Sequence, residues 1–181
     1  MKILRMGCMK MKQKQNLNTN ETINVCRLYV MCGVAGSGKS TFARDHLCQA
    51  DHIVHISRDE VRISMLKPGE RYFSKEKEVY AEFIKRIVNA ADEGYTIVVD
   101  ATHLNHWSRN KLIKSLDEQM NRPYEIIYVV MNTEYHETQR RNAERTGRAL
   151  VPADVIDEMF EQWEPPHYSE HSNIKGIWTI N

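Results

Sequence analysis

Short apolar runs alternate along the chain with longer segments in which apolar residues recur every three or four positions. Short runs of this kind are typical of buried strands, and the three-to-four spacing is typical of helices that pack on a sheet. Regular alternation of the two predicts a parallel sheet of about five strands, covered by helices on both faces. The predicted strands are 27–32, 52–57, 95–100, 126–131 and 174–180.

The segment that follows the first run, Gly33–Ser40, fits the phosphate-binding loop pattern G-x-x-x-x-G-K-[ST] at every position. Glycine lacks a Cβ, so the backbone can curl until several N–H groups point into one hollow that suits an anion. Lys39 can reach the outer phosphates of ATP, and the Ser40 hydroxyl can ligate Mg²⁺. The sequence therefore predicts an α/β P-loop NTPase fold, adenylate-kinase-like, with ATP and Mg²⁺ as cofactors. The residues expected to contact the nucleotide are Gly33, Gly36, Ser37, Gly38, Lys39, Ser40 and Thr41.

Charge is distributed unevenly along the 181 residues. Residues 1–20 contain five Lys or Arg and no acid, which leaves 20 basic and 24 acidic side chains, a net charge of −4, for the rest. This balance does not favour a wide basic groove for duplex DNA, although a small anion site needs only a few arginines. We predict that residues 1–24 form a disordered basic arm, either a nucleic-acid tether or a solvated extension. Residues 25–181 are predicted to form the P-loop kinase domain.

Two further features bear on location. No apolar run approaches the roughly eighteen residues of a membrane span, so no contact with a bilayer is predicted. The four cysteines form no C-x-x-C pair, which suits small buried residues in a reducing cytoplasm.

Carboxylates occur at the ends of two predicted strands. Asp59 lies two residues after the second strand, and Asp100 ends the third. The carboxyl ends of strands in open α/β sheets border the ligand crevice, so both acids are expected beside the phosphate-binding loop. Arg62 would lie on the same helical face as Asp59 and could bind a phosphate bidentately. Asp59 is therefore the predicted general base that orients or deprotonates the phosphoryl acceptor.

A highly charged helix is predicted over Glu134–Arg145. Arg141 and Arg145 are four residues apart and therefore share a face. Gly147 interrupts the segment and Arg148 follows at once, so it is a candidate mobile lid that brings arginines over the phosphates. The alternative is a solvated helix whose arginines pair with neighbouring glutamates.

Four motifs together resemble the 5′-hydroxyl kinase domain of the phage polynucleotide kinases, which act in nucleic acid repair. The resemblance covers roughly Leu28 to Trp163. It includes the phosphate-binding loop, Ser57-Arg-Asp-x-x-Arg62, Asp100-Ala-Thr-His-Leu-Asn105, and Arg140-Arg141-Asn142 through Arg145 to Val151-Pro152.

The resemblance implies a role for each predicted site residue. Lys39 and Ser40 would contact ATP and magnesium, and Asp59 would be the general base. Arg62 would bind the acceptor's 3′ phosphate, with Asp100 as a supporting acid near it. The arginines implied on the donor phosphates are Arg141, Arg145 and Arg148. The acceptor implied is the 5′-hydroxyl end of a single-stranded DNA or RNA. No D-x-D-x-[ST] phosphatase signature occurs, so 3′-end repair is not predicted.

Three alternatives stay open on the sequence alone. The same loop and strand-end acid occur in kinases of small molecules such as nucleosides, antibiotics or sugar nucleotides. A nucleotide-dependent ATPase switch would need no acceptor, which would leave the Asp59 and Arg62 pairing without a task. His103 and His106 are three residues apart and raise the possibility of zinc, but no third ligand lies nearby, so a surface turn is the favoured interpretation.

Overall fold

The strands of residues 25–181, the part of the chain that the computed structural model describes, form one parallel sheet. They are β1 (Cys26–Cys32), β2 (Ile53–Ser57), β3 (Thr96–Asp100), β4 (Tyr124–Met131) and β5 (Ile174–Ile180). Their order across the sheet is β2-β3-β1-β4-β5, with every neighbouring pair parallel. The predicted fold class and number of strands are confirmed. The predicted arm, residues 1–24, lies outside the described residues.

Helices connect consecutive strands and cover both faces of the sheet. Alternate residues of β1 point to opposite faces. Leu28 and Val30 therefore join the larger core with the helices Glu76–Asp92 and His106–Gln119, while Met31 joins the smaller core with the helix Lys39–Phe42. The first helix continues as a π-helical turn over Ala43–Leu47. The α-helices are α1 (Lys39–Phe42), α2 (Arg58–Met65), α3 (Glu76–Asp92), α4 (His106–Gln119), α5 (Tyr135–Ala143) and α6 (Ala153–Glu161). None of the helices within the described residues is long and apolar enough to cross a membrane.

The strand order decides which loops meet. β1 lies between β3 and β4, and Ser57 at the end of β2 is level with Asp100 at the end of β3. Because all strands run the same way, the loop after β1, the start of α2 and the end of β3 open onto one edge of the sheet. The Ser57 hydroxyl accepts a hydrogen bond from the Glu60 N–H, which caps α2 and starts the helix immediately at the strand end.

Helical spacing in the sequence predicts that Asn105 caps α4 and that Trp107 points inward with Leu112, Ile113 and Leu116, but the observed packing of α4 differs in one respect. Asn105 caps this helix as predicted, through a reciprocal pair of bonds with Ser108. Trp107, however, is 70% exposed, and the buried stripe starts at Arg109 and continues through Leu112, Ile113 and Leu116. Arg109 can be buried because its guanidinium is bonded to the Glu170 carboxylate at 2.6 Å and to backbone carbonyls. The helix is therefore rotated so that this ion pair, and not the indole, faces the core.

Candidate active site

The glycines of the loop between β1 and α1 allow α5 to pack closely against it. A Cβ on Gly36 would lie 3.0 Å from the carbonyl oxygen of Thr138, and one on Gly38 would lie 3.2 Å from the Arg141 guanidinium. Both glycines also have a positive φ, 89° and 94°, so a side chain would be strained as well as obstructed. The Gly33 N–H donates to the carbonyl of Thr102 at 2.9 Å, which fixes the loop to the end of β3.

Lys39 is buried at the base of this loop, where its ammonium donates to the Val34 carbonyl at 2.7 Å. Burial lowers its pKa to about 8; Asp100 opposes this shift, and the positive charge of Arg145 adds to it. A buried ammonium whose charge is disfavoured by its surroundings gains when an anion approaches. The loop is therefore electrostatically suited to phosphate.

A hydroxyl and a carboxylate meet beside the loop. The Ser40 hydroxyl donates to Asp100 Oδ2 at 2.6 Å, and His55 Nε2 lies 2.9 Å from the same oxygen. Burial alone raises the pKa of Asp100, but the bonds from His55 and Ser40 outweigh burial and keep that pKa below its usual value. The carboxylate is thus ionised. Hydroxyl and carboxylate oxygens are ligands that Mg²⁺ prefers, so Ser40 and Asp100 fit a magnesium bound to nucleotide phosphates.

Asp59 and Arg62 share a face of α2 and contact each other, as their spacing predicts. The Arg62 NH1 group donates to Asp59 Oδ1, and the Tyr72 hydroxyl donates to the same oxygen at 3.1 Å. The Asp59 side chain is 72% exposed, whereas the Arg62 side chain is 5% exposed. The carboxylate is therefore open to an incoming group, and the guanidinium behind it is fixed in position.

Glu76 at the start of α3 holds the same guanidinium from its other side. Arg62 Nε donates to Glu76 Oε1 at 2.7 Å and its NH2 donates to Oε2 at 3.1 Å. Arg58 NH2 donates to Glu76 Oε2 at 2.8 Å. Arg62 NH1 also lies 3.4 Å from the Tyr72 hydroxyl. Most of the five Arg62 donors are thus engaged, so a phosphate that binds the guanidinium bidentately must displace the contacts with Asp59 and Tyr72. Asp100, by contrast, bonds to Ser40 and not to Arg62, since the end of β3 faces the loop after β1.

The predicted lid arginines occupy two different settings. Arg141 and Arg145 line a cavity of about 430 Å³ that also includes Gly38 and Thr41. The Arg141 guanidinium donates to a carboxylate oxygen of Glu137 at 2.6 Å and to the carbonyl of Ser37 at 3.4 Å. Arg148 is exposed in a 3₁₀ turn over Gly147–Ala149 and does not line this cavity. The glutamate pairing of the alternative interpretation therefore occurs in α5, but two arginines still face the loop.

The ends of the segment that carries Arg145 and Arg148 are fastened together. The Asn142 side chain donates to the carbonyl of Val151 at 2.7 Å and accepts from its N–H at 3.1 Å. Asn142 is buried, so this contact closes residues 143–150 into a loop that starts and finishes at the end of α5. Whether this segment moves as a lid stays a prediction.

A family model for the AAA domain matches residues 28–166, which include the loop, the Asp59–Arg62 pair and the arginines of α5. The chain belongs to the AAA domain family. Within these residues lie all the groups described above, so the whole candidate site belongs to the AAA domain.

Three known proteins resemble this AAA domain. A candidate bifunctional polynucleotide kinase/RNA ligase of Autographa californica nuclear polyhedrosis virus is 23% identical over 150 residues, which cover 76% of this chain and 21% of that protein. A chain in the structure of the Pnkp1/Rnl/Hen1 RNA repair complex matches with a TM-score of 0.65 and 23% identity, over 79% of this chain and 45% of the other. A sugar kinase from Janibacter sp. HTCC2649 matches with a TM-score of 0.56 and 17% identity, over 86% and 85%.

These matches extend over very different shares of the other proteins. The chain spans about a fifth of the viral relative and less than half of the repair-complex chain, but most of the sugar kinase. At such identities the structural likeness shows the fold, which is that of P-loop kinases.

His103 of the AAA domain is buried and does not lie on the surface turn that was expected. Its Nδ1 lies 2.8 Å from the carbonyl oxygen of Met31, which can only accept, so Nδ1 carries the proton and donates. Burial lowers the pKa of His103 to about 4, in spite of this bond, and the ring is neutral. Among residues 25–181, no group of three or more His, Cys, Asp or Glu could hold a metal ion. His103 therefore joins β1 to the loop after β3 as a structural residue.

We expect the variant His103→Asn to reduce the loss of stability in acid. The pKa of His103 is lower in the folded than in the unfolded chain, so its contribution is complete above pH 6.5 and is lost as the pH falls towards 4. That loss is about 2 to 3 kcal/mol between pH 7 and pH 4.5. Asn tolerates the positive φ of 42° and can still donate to Met31.

Denaturant unfolding at both pH values measures the difference. The exposed His136 on α5 supplies the matched control His136→Asn, which should retain the wild-type pH dependence. An equal acid loss in His103→Asn and the wild type would show that His103 is not the responsible group.

Three residues of the site were not expected from sequence. They are Glu76 at the start of α3, His55 on β2 and Tyr72 between α2 and α3, and none of them is among the residues that the sequence predicts for the site. For His55 a signal did exist, because it alternates with Ser57 along β2 and so points to the same face. For Glu76 and Tyr72 there was none, since both reach Arg62 from elsewhere in the chain.

Proposed function

We propose that this protein is an ATP-dependent kinase that transfers the γ-phosphate of ATP to the 5′-hydroxyl end of a DNA or RNA strand. The observation that carries the proposal is the contact between the exposed Asp59 carboxylate and the buried Arg62 guanidinium, beside a phosphate-binding loop. A simple ATPase would need the loop but not a cation held directly behind the base. A phosphate-bearing acceptor needs both.

The residues divide the reaction between them. The oxygen of the 5′ hydroxyl attacks the γ-phosphorus, and Asp59 accepts the proton of that hydroxyl. The bond between the γ-phosphorus and the bridging oxygen breaks, and this oxygen stays with the β-phosphate. Arg62 binds the phosphate on the 3′ side of the first nucleotide and so orients that hydroxyl. Lys39, Arg141 and Arg145 neutralise charge on the transferred group.

Ser40 and Asp100 would hold magnesium, whose charge would offset that of the β- and γ-phosphates. In this proposal Asp100 acts at the metal and not as a supporting acid for Arg62, because its hydrogen bonds go to Ser40 and His55. Arg148 remains a candidate contact for the donor phosphates. We place the activity in the cytoplasm, since the buried Cys26 and Cys32 are free thiols.

The comparisons support the acceptor without identifying it. The viral relative and the repair-complex chain both belong to proteins named for nucleic acid processing, although this chain spans only part of each. The sugar kinase, matched over most of its length, favours a second candidate, a small-molecule kinase. Incubation with labelled ATP and magnesium distinguishes them: label on 5′-hydroxyl oligonucleotides supports the proposal, and label only on nucleosides, antibiotics or sugar nucleotides supports the alternative. Acceptor-independent ATP hydrolysis would indicate an ATPase switch.

The role of Arg62 predicts a specific preference among minimal acceptors. A nucleoside 3′-monophosphate should be phosphorylated much more efficiently than the bare nucleoside, because only the former presents a phosphate to the guanidinium. A charge-assisted bidentate contact contributes about 1.5 to 3 kcal/mol, so kcat/KM should differ by roughly 10-fold to 150-fold. Arg62→Ala should remove most of that difference, and kcat/KM measured for both acceptors tests it.

Glu76→Gln is the matched control for this experiment. It weakens the support of Arg62 but leaves the guanidinium in place, so the preference for the 3′-monophosphate should persist. If Arg62→Ala retains the full preference, Arg62 does not bind the acceptor phosphate. If both variants lose it equally, the effect arises from disruption of the Glu76 network.

A further inference from the structure

Aromatic and cationic side chains form a continuous series from Arg62 to α4. The Arg62 guanidinium lies 5.1 Å from the centre of the Phe73 ring. Arg58, joined to Arg62 through Glu76, lies 5.4 Å from the centre of the Tyr80 ring. We call this series the aromatic–cation ribbon; in spatial order its members are Phe73, Arg62, Arg58, Tyr80, Lys111 and Trp107.

The far end of the ribbon continues the same alternation on α4. The Lys111 ammonium lies 4.3 Å from the centre of the Tyr80 ring and 5.4 Å from that of Trp107. The Tyr80 hydroxyl donates to the Lys111 carbonyl at 3.1 Å, which fixes α3 and α4 relative to each other. The ribbon therefore extends from the site beside Asp59 across two helices.

Both ends of the ribbon are open to solvent. Phe73 is 68% exposed and Trp107 is 70% exposed, which are the highest values among the exposed large apolar residues of the described region. The exposed indole of Trp107 contributes nothing to the hydrophobic core, and Lys111 beside it is also exposed. Aromatic faces next to cations are what single-stranded nucleic acids require, since bases stack on rings while phosphates follow the positive charges.

We propose that the aromatic–cation ribbon is the track along which the acceptor strand lies beyond its first nucleotide. This inference rests on the proposed function and specifies its acceptor as a single strand. The terminal nucleotide lies at Asp59 and Arg62. The following nucleotides cross Tyr80, Lys111 binds a backbone phosphate, and an unpaired base stacks on Trp107. The protein thus binds oligonucleotides more tightly than a nucleoside 3′-monophosphate.

Acceptor length separates this track from the catalytic site. Trp107→Ala should raise the KM for a 5′-hydroxyl decanucleotide about tenfold, the range expected for loss of one base–aromatic stack. The same variant should leave the KM for a nucleoside 3′-monophosphate unchanged, because that acceptor ends before the track begins. Lys111→Ala should have the same selectivity for the longer acceptor.

The salt dependence of binding distinguishes the phosphate contact of Lys111 from the stacking contact of Trp107. Binding of a 3′-fluorescently labelled decanucleotide is measured by anisotropy at several salt concentrations. Loss of one phosphate contact in Lys111→Ala should lower the slope of log K against log salt by about 0.7, whereas Trp107→Ala should lower K without changing that slope.

Matched controls come from β5 at the opposite edge of the sheet. Trp178 is 42% exposed and Lys175 is exposed, so Trp178→Leu and Lys175→Ala remove similar groups and should leave both acceptors unaffected. Thermal unfolding verifies that each variant is folded. If the wild type phosphorylates oligonucleotides and Trp107→Ala and Lys111→Ala do so with unchanged KM and salt slope, the track is wrong and the proposed function stands. If the wild type phosphorylates no nucleic acid, both are wrong.

Discussion

Asp59→Asn should bind ATP about as tightly as the wild type and yet transfer phosphate roughly 10² to 10⁴ times more slowly, the usual contribution of a positioned general base. The asparagine oxygen can still accept the hydrogen bonds of Arg62 and Tyr72, so the local geometry is retained while the capacity to accept a proton is lost. Single-turnover transfer to an oligonucleotide, with ATP affinity measured in parallel, tests this expectation.

The binding measurement provides the control. A parallel loss of ATP or magnesium affinity would assign Asp59 to the metal site, and Asp100 would then be the alternative base. Unchanged turnover would exclude Asp59 from the chemistry altogether. Because the Asp59 side chain is exposed, its replacement by asparagine should not disturb folding. Thermal unfolding checks this directly.

Lys39→Ala is the second change with a large expected effect. Removal of one preorganised group that stabilises transition-state charge costs about 10² to 10³ in kcat, and in the proposed reaction Lys39 would also contact the phosphates of the bound nucleotide. Burial disfavours its charged form, as the lowered pKa indicates, so its removal should not destabilise the fold. Transfer rate and unfolding midpoint are the two measurements.

Arg140→Ala is the matched control for this variant. Arg140 is an exposed cation of α5 and the chain neighbour of Arg141, but its guanidinium is bonded to Glu137 at 2.8 Å and also to Glu144 on the helix surface. Transfer should therefore be unaffected by its removal. Near wild-type transfer by Lys39→Ala would mean that the loop is not the donor site.

The fold could be read from the sequence because its signals are local. Apolar runs, helical spacing and the glycine-rich loop each lie within a dozen or so residues, and the alternation of elements then allows few arrangements other than a covered parallel sheet. The Asp59–Arg62 contact was predictable for the same reason, because residues three positions apart on one helix are neighbours on its surface. The phosphate-binding loop was predictable as well, because its pattern lies in consecutive residues, Gly33–Ser40.

The orientation of α4 shows where local signals fail. A tryptophan near a helix start is more often buried than exposed, so sequence favours Trp107 as a core residue. Arg109 takes the buried position because Glu170, which is 61 residues further along the chain, supplies its carboxylate. Nothing near Arg109 in sequence indicates that partner, and the exposure of Trp107 follows from it.

The sequence by itself determined the P-loop kinase fold, the loop for phosphate and the candidate acid and arginine beside it. Only the tertiary structure decided that Asp100 bonds to Ser40, that Glu76 holds Arg62, and that Phe73 and Trp107 lie at the two ends of one series of aromatic–cation contacts. The physical reason is the same in each case. These contacts join side chains from different strands and helices, and their distances are set by sheet order and helix packing rather than by spacing along the chain.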